Sequence, residues 1–524
     1  MNQSVESIIT RTADAYDSTP YESLPFDFTQ PEHMSALAYL MGIVPVPLAR
    51  ARVLEIGCAS GGNLLPFAVK HPEAVCVGVD ISTRQIDDGK AFLQRFGINN
   101  VTLLAADICE AGPSLGEFDY IICHGVFSWV PSEVQVGILQ ACKSLLSENG
   151  VAYISYNVFP GWHCWELGRH LMYRASAHIE DPKERLSTAI EALKIFSEQA
   201  CDSPDRPIRQ MLKEGLKRIE DQPWYYVLHE YLEPCNTPLY FRDFIAALSG
   251  HGLRYLADVQ FSSMFRENAA TGAVGEFIAN NAKHRYDEEE MLDYITGRTF
   301  RRSLIVHDHR QVSLAVTPQR LNALTVLSNF TRKKSKKAQD GTNNTFVKHS
   351  DSAVQLKIQD PLGIAVLDLL DAHYPHPVEM STLLFEYWSA TGVNIQTKTD
   401  ADILSGLETL SSFVLSLLQK DVVQISCHDK KAVKTVSEHP VAFPLARFQA
   451  ANANVWVTNV YAQVVPLEGE MQQLLPLLDG SISVADLARK SSKWLTESGM
   501  DKDAIQARLQ KNLERMSATS LLVF

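Results

Sequence analysis

The chain has 524 residues, of which 46% are hydrophobic and 21% are charged, a composition that is ordinary for a folded soluble protein. This length exceeds what a single hydrophobic core supports, so we expect several domains. The 48 basic and 61 acidic residues give a net charge of -13, which argues against broad adhesion to nucleic acid or to anionic membranes. The charge favours basic partners without naming a substrate.

Cysteine, signal and membrane patterns all favour the cytoplasm. The nine cysteines are scattered singly and form no Cys-x-x-Cys pair, which is typical of reduced thiols packed as small hydrophobic side chains. Residues 1–11 lack the basic-then-apolar pattern of a secretory signal. No apolar run approaches the ~20 residues that span a bilayer. We therefore predict a cytoplasmic protein without membrane insertion.

Strand-like apolar runs alternate with amphipathic helical runs in residues 1–162. The predicted strands are 52–56, 75–80, 101–106, 118–123 and 151–156. One helix begins after Ser82, a capping residue with Gln85 three positions on, and ends at Gly97. Another follows Pro131, with Ser132 as its cap. This alternation predicts crossover units and a doubly wound parallel α/β sheet.

Beyond residue 162 the pattern is first helical and then mixed. A helix opens at Asp181-Pro182 with Leu186, Leu193 and Phe196 on one face, and a strand at 253–259 returns to the sheet. The basic run between residues 332 and 337 has no interleaved aromatic residues, so we interpret it as a solvated loop rather than a nucleic-acid site.

We divide the chain into five regions on these patterns. They are a cofactor-binding core at 1–162, a helical insertion at 163–240, a return to the core at 241–302, a strand-rich middle region with the basic loop at 303–358 and a C-terminal α+β domain at 359–524.

A glycine-rich turn follows the first predicted strand. The run Glu55-Ile56-Gly57-Cys58-Ala59-Ser60-Gly61 has the spacing Glu-x-Gly-x-Ala-x-Gly, whereas a dinucleotide-binding turn has G-x-G-x-x-G. Glycines let the backbone approach a ligand closely. An acidic residue at the strand end suits a ligand with an amino group better than a pyrophosphate.

Two further acids end the next two strands. Asp80 can accept from both hydroxyls of a ribose, and Asp107 can accept from an adenine amino group. A single strand-end aspartate is more often a helix cap. Three acids and a glycine turn at successive strand ends converge where open parallel sheets bind ligands, so together they predict a nucleoside site.

The chain resembles the class I methyltransferases, and within them a bacterial branch with a methyltransferase regulatory domain. The resemblance lies in residues 53–66, in His-Gly-Val-Phe-Ser-Trp-Val-Pro at 124–131 and in Ser-Tyr-Asn-Val-Phe-Pro-Gly-Trp-His at 155–163, with further matches at 293–304 and 443–459. It departs from the family at Ala59, where most members have glycine, and at Phe127, where the branch usually has tyrosine. A phenol at position 127 is therefore not essential here.

The resemblance implies a Rossmann-like methyltransferase sheet with a helical insertion, a middle α+β region and a C-terminal winged-helix-like α+β domain. It also implies S-adenosylmethionine as cofactor. Characterised members of the branch methylate lysines of bacterial outer-membrane proteins, so we expect a protein substrate of that kind, with a homodimer left open. The predicted cofactor-binding residues are Glu55, Gly57, Ala59, Gly61, Asn63, Asp80, Ile81, Asp107, Ile108 and His124.

Four residues near the ends of the fourth and fifth strands are candidates for binding the methyl acceptor. Tyr156 and Asn157 can offer oxygen atoms to an amine, and Trp129 and Trp162 can wall its channel. The alternative is that these aromatic residues only pack under the helical insertion. His124 is either a base or a structural residue. The sixteen histidines show no paired ligand spacing, so no metal is expected.

The sequence leaves three classes of function open. The first is lysine N-methylation of a protein, and the second is methylation of a small metabolite, with the C-terminal half serving oligomerisation. The third is a binding module without turnover, which the intact turn and acids disfavour. The long C-terminal extension favours a macromolecular acceptor.

Overall fold

The computed structural model describes residues 17, 19, 22–201, 207–313, 316–333, 344–349, 352–427, 432–452, 454–495 and 502–524. Residues 1–11 and residues 334–337 of the basic run lie outside the described residues. Two compact units divide the chain. The first comprises Met1–Ser23, Ala51–Gly62 and Val75–Arg310, and the second comprises Leu24–Arg50, Asn63–Ala74 and Gln311–Phe524.

Helices and strands occur throughout the described parts of the chain. The helices are α1 (Pro31–Leu40), α2 (Leu65–Lys70), α3 (Thr83–Phe96), α4 (Ile108–Ala111), α5 (Ser132–Leu145), α6 (His163–Ser176), α7 (Pro182–Gln199), α8 (Ile208–Ile219), α9 (Trp224–Leu232), α10 (Phe241–Gly250), α11 (Gly272–Asn281), α12 (Arg285–Thr296), α13 (Pro361–His373), α14 (Met380–Ala390), α15 (Asp400–Leu418), α16 (Pro444–Ala451), α17 (Met471–Leu474), α18 (Val484–Leu495) and α19 (Lys502–Ala518). The strands are β1 (Arg52–Ile56), β2 (Val75–Asp80), β3 (Val101–Ala105), β4 (Phe118–Cys123), β5 (Leu146–Asn157), β6 (Leu253–Asp258), β7 (Phe300–His307), β8 (Thr325–Leu327), β9 (Phe330–Arg332), β10 (Thr345–Lys348), β11 (Gln355–Lys357), β12 (Val378–Glu379), β13 (Gln424–Ser426), β14 (Val441–Ala442), β15 (Trp456–Thr458), β16 (Val464–Pro466) and β17 (Leu522–Val523).

A seven-stranded sheet forms the centre of the first unit, in the order β3-β2-β1-β4-β5-β7-β6. Neighbouring strands from β3 through β5 are parallel, while β7 is antiparallel to both β5 and β6. From β1 the chain first adds β2 and β3 on one side and then returns to add β4 and β5 on the other side, so the strand order reverses between β1 and β4. Open α/β sheets bind their ligands at such a switch point, beyond the carboxyl ends of the strands.

The predicted doubly wound α/β fold is confirmed, with local corrections. β1, β2 and β4 match the predicted strands, and the cap at Ser82 and the left-handed Gly97 end α3 as expected. Ser132 is not the cap of α5, because the carbonyl of Pro131 already accepts the first helical hydrogen bond from Gln135 (3.0 Å). Phe196 is not on the inward face of α7: its side chain is 52% exposed.

The helical insertion has a hydrophobic core of its own. Helices α6 to α9 bury Met172, Leu193, Leu212 and Tyr231 against one another. After Leu193 the next buried residue of α7 is Ser197, not Phe196. At 3.6 residues per turn, a residue four positions on lies nearer to the direction of Leu193 than a residue three positions on.

The second unit is built from small antiparallel sheets and helices. Its sheets have the orders β11-β10-β9, β12-β8-β13, β14-β17 and β15-β16. Within the described residues, α15 is the helix that is long and apolar enough to cross a membrane by length and composition. Helices in the cores of proteins share both properties, and Leu410, Val414 and Leu418 of α15 are buried in this unit.

A buried ion-pair network joins β7 to α12. Arg301 is 1% exposed and donates to both carboxylate oxygens of Asp293 (2.8 and 3.0 Å) and to Glu289 (3.1 Å), while its guanidinium lies over the ring of Phe241. Burial acts to lower the pKa of Arg301, but Asp293 and Glu289 raise it well above its usual value. Removing one partner from such a cluster leaves a buried charge uncompensated.

We expect Asp293→Asn to lower the free energy of unfolding by about 3 kcal/mol, because Arg301 and the neighbouring Arg298 then share one carboxylate fewer. The control is Glu276→Gln, which removes an exposed carboxylate of α11 and should change stability by less than about 0.5 kcal/mol. Urea unfolding followed by circular dichroism measures both. Equal free energies of unfolding for the two variants would contradict the proposed contribution of the ion-pair network to stability.

Candidate active site at the carboxyl ends of the strands

The turn after β1 is held in a conformation that few side chains allow. Gly57 and Gly61 have φ of +73° and +82°, and Ala59 has φ of +49°. A Cβ on Gly57 would lie 2.3 Å from Cγ2 of Val126. Positive φ costs a non-glycine residue about 1–2 kcal/mol. The strain at Ala59 is offset by its N–H, which donates to Oδ2 of Asp80 (2.8 Å).

Asp80 links this turn to the end of β2. Its Oδ1 accepts from the N–H of Ser82 (2.9 Å) while its Oδ2 accepts from Ala59. Burial raises the pKa of Asp80 despite these backbone hydrogen bonds. Each carboxylate oxygen has a second lone pair for a ligand hydroxyl. Ile81, which follows directly, is half-buried.

Asp107 fills one of the two roles that the sequence left as alternatives, the helix cap, while its binding of a ligand stays a prediction. Its Oδ1 accepts from the N–H of Cys109 (2.9 Å) and so caps α4. The thiol of Cys109 also hydrogen-bonds to this carboxylate, whose remaining lone pairs are available to a ligand. Ile108 is buried beside it, and Glu55 is 4% exposed at the end of β1.

The loop after β4 is fixed by hydrogen bonds to β5. The N–H of Gly125 donates to Oγ of Ser155 (2.9 Å), and Oγ of Ser128 accepts from the N–H of Asn157 (2.8 Å). Gly125 is exposed, has φ of +69°, and has open space on its Cβ side. The loop therefore presents backbone rather than side chain at this point.

His124 begins this loop and carries no charge at neutral pH. Its Nδ1 lies 2.9 Å from the hydroxyl of Tyr153 and 3.2 Å from Oγ of Ser155, and its ring meets Phe300 edge-on. Burial and the charge of Arg302 lower the pKa of His124 to about 4. A group with so low a pKa is a weak base, so this arrangement favours the structural interpretation of His124.

Tyr156 and Asn157 take opposite faces of β5 because side chains alternate along a strand. Tyr156 is 1% exposed, and its ring stacks on Phe244 (4.0 Å between centroids) and meets Phe127 edge-on. Burial raises the pKa of its hydroxyl. The structure thus packs the ring of Tyr156 in the hydrophobic core with its hydroxyl toward Arg301 and Ser303, and does not bring that hydroxyl together with Asn157 as the sequence predicted.

Asn157 and the two tryptophans lie at the end of the strand. Trp129, half-buried, and Trp162, 2% exposed, meet edge-to-face at 6.2 Å. The Nδ2 of Asn157 donates to Oδ1 of Asn236 (2.9 Å). Pairing of the tryptophans supports the predicted wall, and their contact with an acceptor stays a prediction.

Asn63 does not join the other predicted cofactor residues. It belongs to the second unit, where its Oδ1 accepts from the N–H of Phe26 (2.9 Å), from Thr29 and from Gln30. Its carboxamide is therefore committed to the segment before α1. Among the described residues there is no group of three or more histidine, cysteine or acidic side chains that could hold a metal ion.

Sequence reasoning missed three residues beside this site. Oγ of Ser23 accepts from the N–H of Gly62 (2.8 Å), and Asp17 accepts from the hydroxyl of Ser82, which follows Asp80. Asn236 contacts Asn157. No local pattern marks these residues, because each meets its partner across 39 or more positions of sequence.

The donor set fits S-adenosylmethionine. Carboxylates of Glu55, Asp80 and Asp107 follow three adjacent parallel strands, where they can meet an amino group, a ribose diol and an adenine amine. Gly57, Ala59 and Gly61 of the positive-φ turn carry no side chain larger than a methyl, so the backbone of the turn can approach a ligand closely.

Three family models match the chain in succession. They are a methyltransferase domain at residues 53–150, a predicted methyltransferase regulatory domain at 223–307 and the PKMT C-terminal winged helix domain at 438–521. These matches and the site define an S-adenosylmethionine-dependent methyltransferase.

A relative matched along nearly the whole chain gives the family. Uncharacterized protein RP789 of Rickettsia prowazekii is 30% identical over 488 residues, 91% of this chain and 86% of that protein, and RP028 of the same organism is 40% identical over 44% of this chain and 92% of its own length. The structure of PKMT2 from Rickettsia typhi in complex with AdoHcy matches with a TM-score of 0.81 and 29% identity, covering 96% of this chain and all of that one. The chain belongs to the family of RP789, and it carries the methyltransferase, regulatory and PKMT winged-helix domains matched above.

We expect Gly57→Ala to lower the affinity for S-adenosylmethionine by at least about tenfold, because the new methyl displaces Val126 and the loop that follows β4. Gly97→Ala is the matched control, since Gly97 also has positive φ but has nothing within 4 Å of its Cβ position. It should cost about 1 kcal/mol of stability and keep the affinity. Titration calorimetry measures binding, and equal affinities would separate Gly57 from the cofactor site.

Proposed function

We propose that this methyltransferase methylates the side-chain nitrogen of lysine residues in a protein. The observation that carries the proposal is the likeness to PKMT2, a protein lysine methyltransferase, along 96% of the chain. That likeness includes the regulatory and winged-helix regions as well as the methyl-transfer core. A net charge of -13 adds a weak preference for a lysine-bearing partner.

The reaction sets clear demands on the acceptor end of the site. A lysine amine has a reference pKa near 10.4, so only about one in a few thousand is neutral at pH 7. The neutral nitrogen must lie in line with the methyl group and at close range. The lysine ammonium must therefore lose a proton to solvent before transfer. The new C–N bond would form as the methyl–sulfur bond of the cofactor breaks, which would leave the neutral thioether S-adenosylhomocysteine and a positively charged methylammonium. The bound cofactor would supply the methyl as a sulfonium, an electrophile that needs no acid.

Two groups of residues would meet these requirements, one that holds the cofactor and one that positions the amine. The turn at Gly57–Gly61 with Asp80 and Asp107 would hold the cofactor, because its backbone is accessible and the carboxylates accept hydrogen bonds. The carboxamide oxygen of Asn157 would accept an N–H of the incoming amine. Trp129 and Trp162 would exclude water around the lysine stem and favour the methylated cation.

Outer-membrane proteins are the substrates we propose within this class, following the activity of the branch that the chain resembles. Cytoplasmic location remains a prediction, and so does pairing of two copies. A substrate bound for the outer membrane would then be methylated before export.

The test of this function is labelling with methyl-labelled S-adenosylmethionine and two separate pools, an outer-membrane protein fraction and a protein-free metabolite extract. We expect label on lysines of a few protein bands, located by mass spectrometry. Label confined to the metabolite pool would replace the proposal with small-molecule methylation.

Asn157 and Tyr156 are neighbours on opposite faces of β5, so they form an informative pair of variants. We expect Asn157→Ala to lower the rate of methyl transfer by about tenfold or more, with cofactor affinity unchanged, because the amine loses a positioned acceptor. Tyr156→Phe keeps its ring stacked on Phe244 and should change the rate by less than about threefold. Initial rates and calorimetry measure both variants. A loss in Tyr156→Phe as large as in Asn157→Ala would restore the role that the sequence predicted for the phenol.

A further inference from the structure

Asn157 is a buried residue whose side-chain oxygen, Oδ1, makes none of its hydrogen bonds to the described residues. Its side chain is 3% exposed, its N–H donates to Oγ of Ser128, and its Nδ2 donates to Asn236. Within the described residues its Oδ1 accepts no hydrogen bond. This oxygen is also not among the buried polar atoms without a partner in the described residues, so it keeps accessible surface and can accept from a ligand.

The segment that contains Asn236 is fastened to the same strand end. The N–H of Thr237 donates to the carbonyl of Ser128 (2.8 Å), and the N–H of Leu239 donates to the carbonyl of Asn157 (3.0 Å). Two backbone hydrogen bonds therefore fix the position from which Asn236 reaches Asn157. Residues 236–239 lie within the region that matches the methyltransferase regulatory domain.

In the structure the Nδ2 end of the Asn157 amide lies against Asn236 and its oxygen lies on the other side. The terminal torsion of asparagine is broad and roughly two-fold, so oxygen and nitrogen can exchange places at little cost. With Asn236 accepting from Nδ2, the oxygen takes the other position. If the Asn157 amide were turned round, its NH2 group would face the N–H groups of the substrate amine, and two donors cannot form a hydrogen bond through their hydrogens.

We propose that Asn236 is a positioning residue for methyl transfer: it holds the Asn157 carboxamide with its oxygen toward the substrate amine. This inference rests on the proposed function, since the amine is that of a lysine. The oxygen accepts one N–H of the neutral amine, which turns the nitrogen lone pair toward the methyl group. The regulatory region thereby supplies an orienting contact to the acceptor site.

Two substitutions of Asn236 separate orientation from packing. Asn236→Leu removes the acceptor at similar volume, so the Asn157 amide loses its fixed orientation. Asn236→Asp keeps an acceptor and cannot donate, so it enforces the oxygen-outward orientation. The added carboxylate also favours protonated lysine, and rates are therefore compared at the high-pH plateau of each variant.

The assay follows methyl transfer to the outer-membrane protein fraction. We expect Asn236→Leu to lower the plateau rate about tenfold with unchanged calorimetric affinity for S-adenosylmethionine, and Asn236→Asp to stay within about threefold of the wild type. The double variant Asn157→Ala/Asn236→Leu should be no slower than Asn157→Ala alone, because Asn236 acts through Asn157. Asn281→Leu, at an exposed position of α11, is the control.

Each outcome has a distinct meaning. A wild-type enzyme that labels no lysine contradicts the proposed function itself. With an active wild type, full activity in Asn236→Leu, loss of activity in Asn236→Asp, or additive losses in the double variant overturns the role of Asn236.

Discussion

Hydrogen bonding of β5 along both of its edges is the constraint on which the site depends. On one edge β5 pairs in parallel with β4, and on the other it pairs antiparallel with β7, with Tyr156 opposite Arg301 and Asn157 opposite Phe300. A strand held on both sides cannot shift its register, and a shift of one residue would exchange the faces of all its side chains. That fixed register places the ring of Tyr156 in the core and Asn157 on the opposite face, at the proposed acceptor site.

The two ends of the site are built by different means. The cofactor end is formed by turns that directly follow β1, β2 and β3, so its carboxylates need only the sheet to bring them together. The acceptor end needs the loop after β4, the end of β5 and the segment 236–239, which are joined by hydrogen bonds of Ser128, Ser155 and Asn157. In-line transfer requires both ends to be fixed, and β7 with its buried Arg301 adds the regulatory region to the same sheet.

Patterns between residues close in sequence predicted the elements whose bounds depend on nearby residues. The strands β1, β2 and β4 are continuous apolar runs of a buried parallel sheet, and Ser82 and Gly97 act within one turn of α3, so their bounds could be predicted. Ser132 and Phe196 were misplaced because each differs from the true position by a single residue, a shift that periodicity does not resolve. At Asp107 the sequence left a helix cap and a ligand acceptor as alternatives. The cap is present, and the carboxylate keeps lone pairs for a ligand, so one role does not exclude the other.

The sequence by itself determined the doubly wound sheet, the glycine-rich turn beginning at Gly57 and the acids at successive strand ends, because each follows from apolar periodicity or from the backbone freedom of glycine. Only the tertiary structure decided that Asn63 is committed to the segment before α1, that Tyr156 faces the core, and that Asn236 reaches Asn157 across 79 positions. The physical reason is that side-chain direction and long-range hydrogen bonds depend on register and packing, which neighbouring residues in the chain do not specify.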